Sequence, residues 1–328
     1  MSEFCPVVSV TMTAYNHGKY IRQAVESVFA QKTNFDFEVI VGEDCSPAPD
    51  KSREILLELK EKYGERLVLL LHEKNLGPRG NSRAIKERVR GKYIAHLECD
   101  DYWIDPNKLQ RQYDFLESHP EYSACGADSC LINDAGEILW KNTLGLRKDK
   151  AFTMHDYKVK GFTVHGNALM RRASIMSVHD EKVKRLLNTG TTMGDIYTFS
   201  LLYSYGPIYV FKDVMHAHRA GDQVASSFSE SSKKRMIEYS YMQMDIAKAL
   251  EEYFDHKKDF SFIVVNRLAE VMVTYLFFRK GYALTWKEIG KLFRANPLSV
   301  RLRALWRTAY RIIHRGLGKI KRKLLRLQ

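Results

Sequence analysis

The chain of 328 residues lacks any apolar run near the roughly 20 residues that a membrane-crossing helix requires. Its longest candidate, Val271-Met272-Val273-Thr274-Tyr275-Leu276-Phe277-Phe278, is far too short. No basic segment followed by an apolar stretch opens the chain. Met1-Ser2-Glu3-Phe4-Cys5-Pro6 leads straight into a strand pattern, so a secretory leader is not expected. Cysteine is sparse: Cys5, Cys45, Cys99, Cys125 and Cys130 are odd in number and form no C-x-x-C pair. That disfavours a disulfide framework and a zinc knuckle, and a reducing, cytoplasmic setting fits best. Internal repeats and low-complexity linkers are missing, as is any glycine-rich fingerprint of the dinucleotide or P-loop kind after the first strand. Acidic residues are missing from Arg301 to Gln328, where ten Lys and Arg account for most of the formal net charge of +13.

What is present is an ordinary globular composition, 45% hydrophobic, on a chain long enough for one large domain or two modest ones. Up to Glu121, apolar runs alternate with amphipathic stretches, the pattern of an α/β fold wound on a mostly parallel sheet. Strands are predicted at Val7–Met12, Phe37–Val41, Leu67–Leu71 and up to Glu98. The first helix buries Ile21, Ala24, Val25, Val28 and Phe29; the second starts near Asp50 and stops at Gly64; a third, basic helix ends at Gly91. A helix from Lys108 to Ser118 follows. Short antiparallel strands are then expected around Cys125–Ala127, Leu131–Ile132 and Ile138–Trp140, an apolar strand near Asn167–Met170, a helix from Gly194, and a strand Ile208–Phe211. From Glu230 onward the pattern is helical.

The most informative segment is Glu98-Cys99-Asp100-Asp101-Tyr102-Trp103, which sets carboxylates directly after the apolar run Tyr93-Ile94-Ala95-His96-Leu97. Acids at the carboxyl end of a strand can hold a hard divalent cation and, through it, a phosphate. The plainer alternative is an acidic turn that starts a helix, with Asp105-Pro106 as its cap and first-turn signal. Loops after parallel strands gather along one sheet edge, so Thr13-Ala14-Tyr15-Asn16, Glu43-Asp44-Cys45-Ser46 and Glu98 to Asp101 are expected to be neighbours. Such a crevice offers an aromatic face in Tyr15, an acceptor in Asp44 and an acidic pair, the parts that hold a nucleoside diphosphate.

In this order and spacing the pieces resemble the inverting family-two glycosyltransferases of the GT-A fold. The matching residues are Val8-Ser9-Val10 to Asn16, Val41-Gly42-Glu43-Asp44-Cys45-Ser46 and Gly91-Lys92-Tyr93-Ile94-Ala95-His96-Leu97-Glu98-Cys99-Asp100-Asp101-Tyr102-Trp103-Ile104-Asp105-Pro106, continued by Lys108 to Gln112 and Asp114 to Leu116. The resemblance implies a Rossmann-like GT-A domain over residues 1–225 with a small antiparallel element, a helical extension over 226–282 and a basic amphipathic tail over 283–328. It implies that Thr13 and Tyr15 line a base pocket and that Asp44 accepts a hydrogen bond from the base, which suits the N–H of uracil. Of Asp100 and Asp101, one would meet the ribose and the other a Mn2+ or Mg2+ ion on the diphosphate. His218 is a further metal candidate; Arg79, Arg83 and Arg219 are phosphate candidates; His165 and Trp103 are acceptor candidates. Asp195, after Gly194, stands where the family carries the carboxylate that takes the acceptor's proton, although a helix N-cap would use the same residue. The chain departs from the pattern at Glu98, where Asp is usual, at Gly77 to Arg83, whose register differs, and at His218, where a Tyr is common.

From Leu302 the residues Leu305, Trp306, Ala309, Ile312 and Ile313, continuing to Leu327, alternate with basic ones, an amphipathic cationic helix with bend points at Gly316 and Gly318. Such a helix suits an anionic membrane surface, here the inner face of the cell membrane, while a solvated face packed on the domain or on a second subunit is the plain alternative. The expected reaction is transfer of a sugar, with inversion, from a nucleotide donor, UDP-linked by the Asp44 argument, to a saccharide or lipid-linked acceptor. No nucleic acid is expected as partner; a homo-oligomer is compatible with the sequence. The alternatives are a nucleotidyltransferase, which would open with a Gly-rich basic loop unlike Thr13 to Gly18, and a basic membrane- or RNA-binding module.

Overall fold

A computed structural model describes residues 4–161, 164–177, 179–187, 194–220, 235–278, 282 and 284–324; Leu327 lies outside the described residues. The chain divides into two compact units, residues 1–224 and 225–328.

In the first unit, β1 (Val8–Ala14), β2 (Phe37–Glu43), β3 (Leu67–Leu71) and β4 (Tyr93–Glu98) form a parallel array in the order β3-β2-β1-β4. These strands are near-continuous apolar runs because helices cover the sheet. Three of the flanking helices lie between them: α1 (Ile21–Phe29), α2 (Ser52–Tyr63) and α3 (Gly77–Lys86). Ile21, Ala24, Val25 and Val28 of α1 are buried in the same core cluster as Val10 and Met12, as their spacing predicts, and each Ile or Val side chain contributes about 2 kcal/mol by leaving water. Asp50 ties the start of α2 to the first loop: its carboxylate accepts the amides of Ser52 (2.9 Å) and Gly18 (2.8 Å).

After β4 come β5 (Tyr102–Trp103), α4 (Lys108–Ser118), β6 (Ala124–Ile132), β7 (Ile138–Trp140), β8 (Lys150–Phe152), α5 (Met154–Lys160), β9 (Met170–Arg172), α6 (Glu181–Leu187), α7 (Gly194–Tyr205) and β10 (Ile208–Arg219). Strand β9 lies between β4 and β6, antiparallel to both, and β6 runs parallel to β10. The apolar strand expected at Asn167–Met170 is a 3-10 turn, Gly166–Ala168, followed by β9. Strand β10 does not stop at Phe211. It passes through two register shifts between Phe211 and His216 and continues to Arg219, so His216 and His218 are strand residues. The polar pair Lys212-Asp213 reads as a strand end in sequence, but here it occupies the irregular segment.

The second unit is helical: α8 (Met236–Tyr253), α9 (Ser261–Phe277), α10 (Trp286–Arg294) and α11 (Leu298–Leu324). Helix α11 runs unbroken past Gly316 and Gly318 and packs along α9. No helix among the described residues is long and apolar enough to cross a membrane.

Candidate active site

Backbone pairing brings the three strand-end loops together. Thr13 is the register partner of Gly42 on one side and of Glu98 on the other. The amide of Asp44 donates to the Ala14 carbonyl (2.9 Å), and the amide of Asn16, a residue with positive φ, donates to Ser46 Oγ (3.0 Å). Tyr15 stands beside this junction with its ring 44% exposed. Asp44 is buried and its Oδ1 accepts the Leu76 amide (2.7 Å), which anchors the loop leading into α3. Behind it, Asn81 of α3 donates to the Gly42 carbonyl (2.8 Å); a Cβ on Gly42 would sit 1.9 Å from the Asn81 amide oxygen, so only glycine fits.

The acidic turn separates two adjacent carboxylates into different environments. Asp101 is 1% exposed. Its Oδ1 accepts the Arg219 amide (2.8 Å), and its Oδ2 accepts Asn167 Nδ2 (2.5 Å), His216 Nε2 (2.8 Å) and His218 Nδ1 (3.1 Å). Burial alone would raise its pKa, but the two histidine hydrogen bonds prevail and hold the carboxyl well below the usual range. A carboxylate only accepts, so each histidine must present an N–H to it. His218 thereby has its pKa raised, first by that bond; His216, wholly buried, has its own lowered by desolvation. His165 stacks on both, with ring centroids 4.4 Å from His218 and 5.1 Å from His216, and burial lowers it to about 3.

Asp100 is the opposite case. Its Oδ1 is buried without a hydrogen-bond partner among the described residues, and burial followed by the neighbouring Asp101 charge raises its pKa. Oxygens of Glu98, Asp100 and Asp101 lie within 4.8 Å of one another, as do ligand atoms of Asp101, His165 and His218. Glu98 has an open face toward solvent, yet protein crowds its carboxyl; that desolvation first, then Asp100 and Asp101, push it up to about 7. An orphaned oxygen among three carboxylates fits a hard divalent cation.

Several of the expected site residues are engaged by the protein itself. In Arg219, Nε donates to the Asp100 carbonyl (2.9 Å), Nη1 to the Asn133 and Asp134 carbonyls (2.8 and 3.1 Å) and Nη2 to Gln23 Oε1 (3.3 Å), over the Tyr20 ring. It fastens the acidic turn. Arg83 lies on the exposed side of α3 and pairs with Glu87 (3.2 Å), while Arg79 sits exposed in that helix's first turn. Trp103 is buried, donating Nε1–H to the Asn167 carbonyl (2.9 Å), with Lys108 Nζ 4.0 Å from its ring centroid, so it packs rather than meeting an acceptor.

On the other side of Glu98 lies a cavity of about 140 Å³. Thr11 and Thr13 of β1, His96 of β4, Lys86 of α3, Arg171 of β9 and Asp195 line it. Thr13 therefore faces this cavity. Asp195, in the first turn of α7, has its pKa raised by the surrounding protein while Lys86 and Arg171 oppose the shift. Sequence reasoning passed over Asn167, Lys86 and Arg171. The one signal available was alternation, since His96 and Glu98 share a strand face with Thr11 and Thr13.

Residues 9–178 match the family described as Glycosyl transferase family 2. An uncharacterised Mycobacterium tuberculosis protein is 36% identical over 118 residues, 36% of this chain and 34% of that protein, so the match spans about a third of that relative. The Bacillus subtilis putative teichuronic acid biosynthesis glycosyltransferase TuaG is 36% identical over 116 residues, 35% of this chain and 44% of that one. Among solved structures, TarS from S. aureus in complex with UDP-GlcNAc superposes with a TM-score of 0.63 at 17% identity, covering 92% of this chain and 88% of that chain, a likeness of fold. With just over half of its length matching the family, and a mixed α/β sheet of the GT-A type beneath the match, the chain belongs to glycosyl transferase family 2.

Proposed function

We propose that the protein is a metal-dependent, inverting glycosyltransferase. It moves a sugar from a UDP-sugar to a saccharide or lipid-linked acceptor in cell-surface glycan synthesis. The observation that carries this reading is the partnerless Asp100 oxygen at the end of β4, on the same sheet edge as Tyr15 and Asp44. In this reading Tyr15 stacks on the uracil, and the Asp44 carboxylate, with one oxygen anchored by Leu76, accepts the base N–H with the other. Asp100 and Glu98 would hold Mn2+ or Mg2+, with His218 as a further candidate beside Asp101, and the ion when bound would neutralise charge on the diphosphate leaving group. Asp101 is a positioning residue, its oxygens occupied by protein donors. Arg79 remains the phosphate candidate of α3. Asp195 accepts the acceptor hydroxyl's proton as that oxygen bonds to the anomeric carbon and the bond to the diphosphate breaks.

The second unit carries the membrane part of the proposal. Val300, Ala304 and Thr308 are buried on one side of α11, while Leu298, Leu302, Leu305, Trp306 and Ile313 form an exposed apolar stripe flanked by Arg303 and Arg307. Apolar side chains between cations match an anionic bilayer, which supports a location at the inner face of the cell membrane. Binding to phosphatidylserine vesicles, absent with neutral vesicles and weakened by Trp306→Glu, is the expected result.

The function itself is tested by incubating the protein with UDP-sugars and following UDP release with Mn2+ or with a chelator. Slow, ion-dependent release is expected even without acceptor. Equal stabilisation by UDP, GDP, CDP and dTDP in a thermal-shift assay would remove the roles given to Tyr15 and Asp44.

A further inference from the structure

The cavity beside Asp195 holds more positive charge than its own carboxylate balances. Arg171 is 8% exposed, its Nε is buried without a partner, and its side chain has no hydrogen bond or ion pair with any described residue. The Lys86 amine, at the last turn of α3, has none either. Both lie in the cavity wall with Asp195, yet neither approaches it within ion-pair distance. Burial lowers Lys86 to about 8, with Arg171 adding to the effect, and lowers Arg171 to about 10. His96, lowered to about 4, is neutral and brings no compensating charge. Taking an ion out of water costs several kcal/mol unless a counter-charge meets it. Here the counter-charge is incomplete, and the space where it would sit is open.

Neighbouring charges show what this chain does when a charge is structural. Arg172, next to Arg171 but on the other face of β9, donates to the carbonyls of Leu116, His119 and Tyr122 and to the Tyr93 hydroxyl. Arg171 has nothing of the kind. Neutral sugar hydroxyls gain little from two buried cations, whereas a carboxylate or phosphate answers them through charge-assisted hydrogen bonds.

We propose that Lys86 and Arg171 form an anion subsite that holds a carboxylate or phosphate borne by the transferred sugar or by the acceptor saccharide next to Asp195. This rests on the glycosyltransferase reading and adds the substrate class: an acidic glycan. The group docks by charge-assisted hydrogen bonds, leaving Thr11 and Thr13 to meet hydroxyls on the same sugar.

The test compares UDP, UDP-glucose and UDP-glucuronate binding by titration calorimetry with Mn2+, on the intact chain and on Lys86→Met and Arg171→Met, with unfolding midpoints recorded for each. An anion on the donor predicts UDP-glucuronate at least roughly tenfold tighter than UDP-glucose, a preference that each variant erases while UDP binds as before. Without that preference, methyl glucuronide and a glucose phosphate, each titrated against methyl glucoside on the UDP-loaded protein, report the acceptor as the source. A selective response there that the variants lose supports the subsite equally. Should Arg171→Met fail to fold, Lys86→Met and Lys86→Gln carry the comparison. Equal binding of charged and neutral ligands in both arms overturns the subsite, as does a preference that survives the substitutions. A collapse of UDP affinity in the variants would assign the cations to the diphosphate and also overturn it. Failure of UDP to bind the unaltered chain at all would instead sink the transferase reading on which this one stands.

Discussion

Asp101 and Arg171 are both buried ionic side chains of the first unit, and they differ in what surrounds them. Around Asp101 the protein supplies four donors from two segments, so the charge is fully answered and the residue serves to bind β10 and the Asn167 turn to the end of β4. Around Arg171 and Lys86 the described residues supply no hydrogen-bond or ion-pair partner. The comparison separates charges that build the site from charges that await a ligand, and it recurs within the acidic turn itself, where Asp100 has an unanswered oxygen one residue from Asp101. In a low-dielectric interior that distinction is worth several kcal/mol either way, so substitution reads it directly.

The sharpest break of the comparison is Asp100→Asn. If Asp100 awaits an ion, the variant should fold with an unmoved thermal midpoint while ion-dependent UDP affinity falls at least roughly a hundredfold, since even outer-shell changes at metal sites cost ten- to a hundredfold. Calorimetric titration with and without Mn2+ checks it. The reverse pattern is expected of Asp101→Ala. Removing that acceptor leaves His216 and the Arg219 amide as buried donors without a partner and takes a bond each from His218 and Asn167, and unfolding in urea should show a loss of about 3–5 kcal/mol. A variant as stable as the parent would make Asp101 a ligand-facing residue and erase the contrast with Asp100.

Lys108 supplies an intermediate case, a wholly buried amine that makes no ion pair with any described carboxylate, Asp105 acting on it only from a distance. Its Nζ donates to Gln112 Oε1 (2.8 Å) and lies over Trp103, and burial lowers it to about 7 from the ordinary 10.5. Between those values the unfolded chain holds a proton that the folded chain has released. Stability should therefore rise with pH from about 7 to about 10.5, by on the order of a few kcal/mol. Lys108→Met should flatten that slope in chemical unfolding measured across the range. A slope that persists would mean the amine stays charged inside, answered by the ring and amide alone.

How far these sites are legible in sequence follows the same division. The first four strands and α1 to α4 obey simple rules, near-continuous apolar runs for the strands and period 3.6 for the helices, with Gly64 closing α2, and the Asp100–Asp101 pair is visible because it follows a strand. Beyond Glu121 the pattern weakens for physical reasons. Strand β10 carries its register shifts at Lys212-Asp213, which looks like a turn, so the histidines that clasp Asp101 appear to fall in a loop. Strand β9 is three residues long, too short for alternation to reveal that Arg171 and Arg172 point to opposite faces. Which of two adjacent aspartates is saturated depends on donors more than sixty residues away, and no local spacing encodes that.

The smallest expected effect comes from the charge that is answered on the surface. Arg83 and Glu87 are each about half exposed and pair across one turn of α3, a geometry that contributes only about 0.3–0.5 kcal/mol in water because solvent screens it and holding two long side chains costs entropy. Arg83→Ala should leave stability within about 0.5 kcal/mol and UDP affinity within about twofold, since its guanidinium already faces a carboxylate outside the crevice. Lys86, three residues on and turned inward, should respond to substitution only through the charged ligand it holds. Parallel titrations of the two variants with UDP and with UDP-glucuronate resolve the difference. If Arg83→Ala loses UDP affinity as Asp100→Asn is expected to, the outward pair with Glu87 opens when nucleotide arrives, and the boundary between charges that build the site and charges that wait for a ligand must be moved to include the outer face of α3.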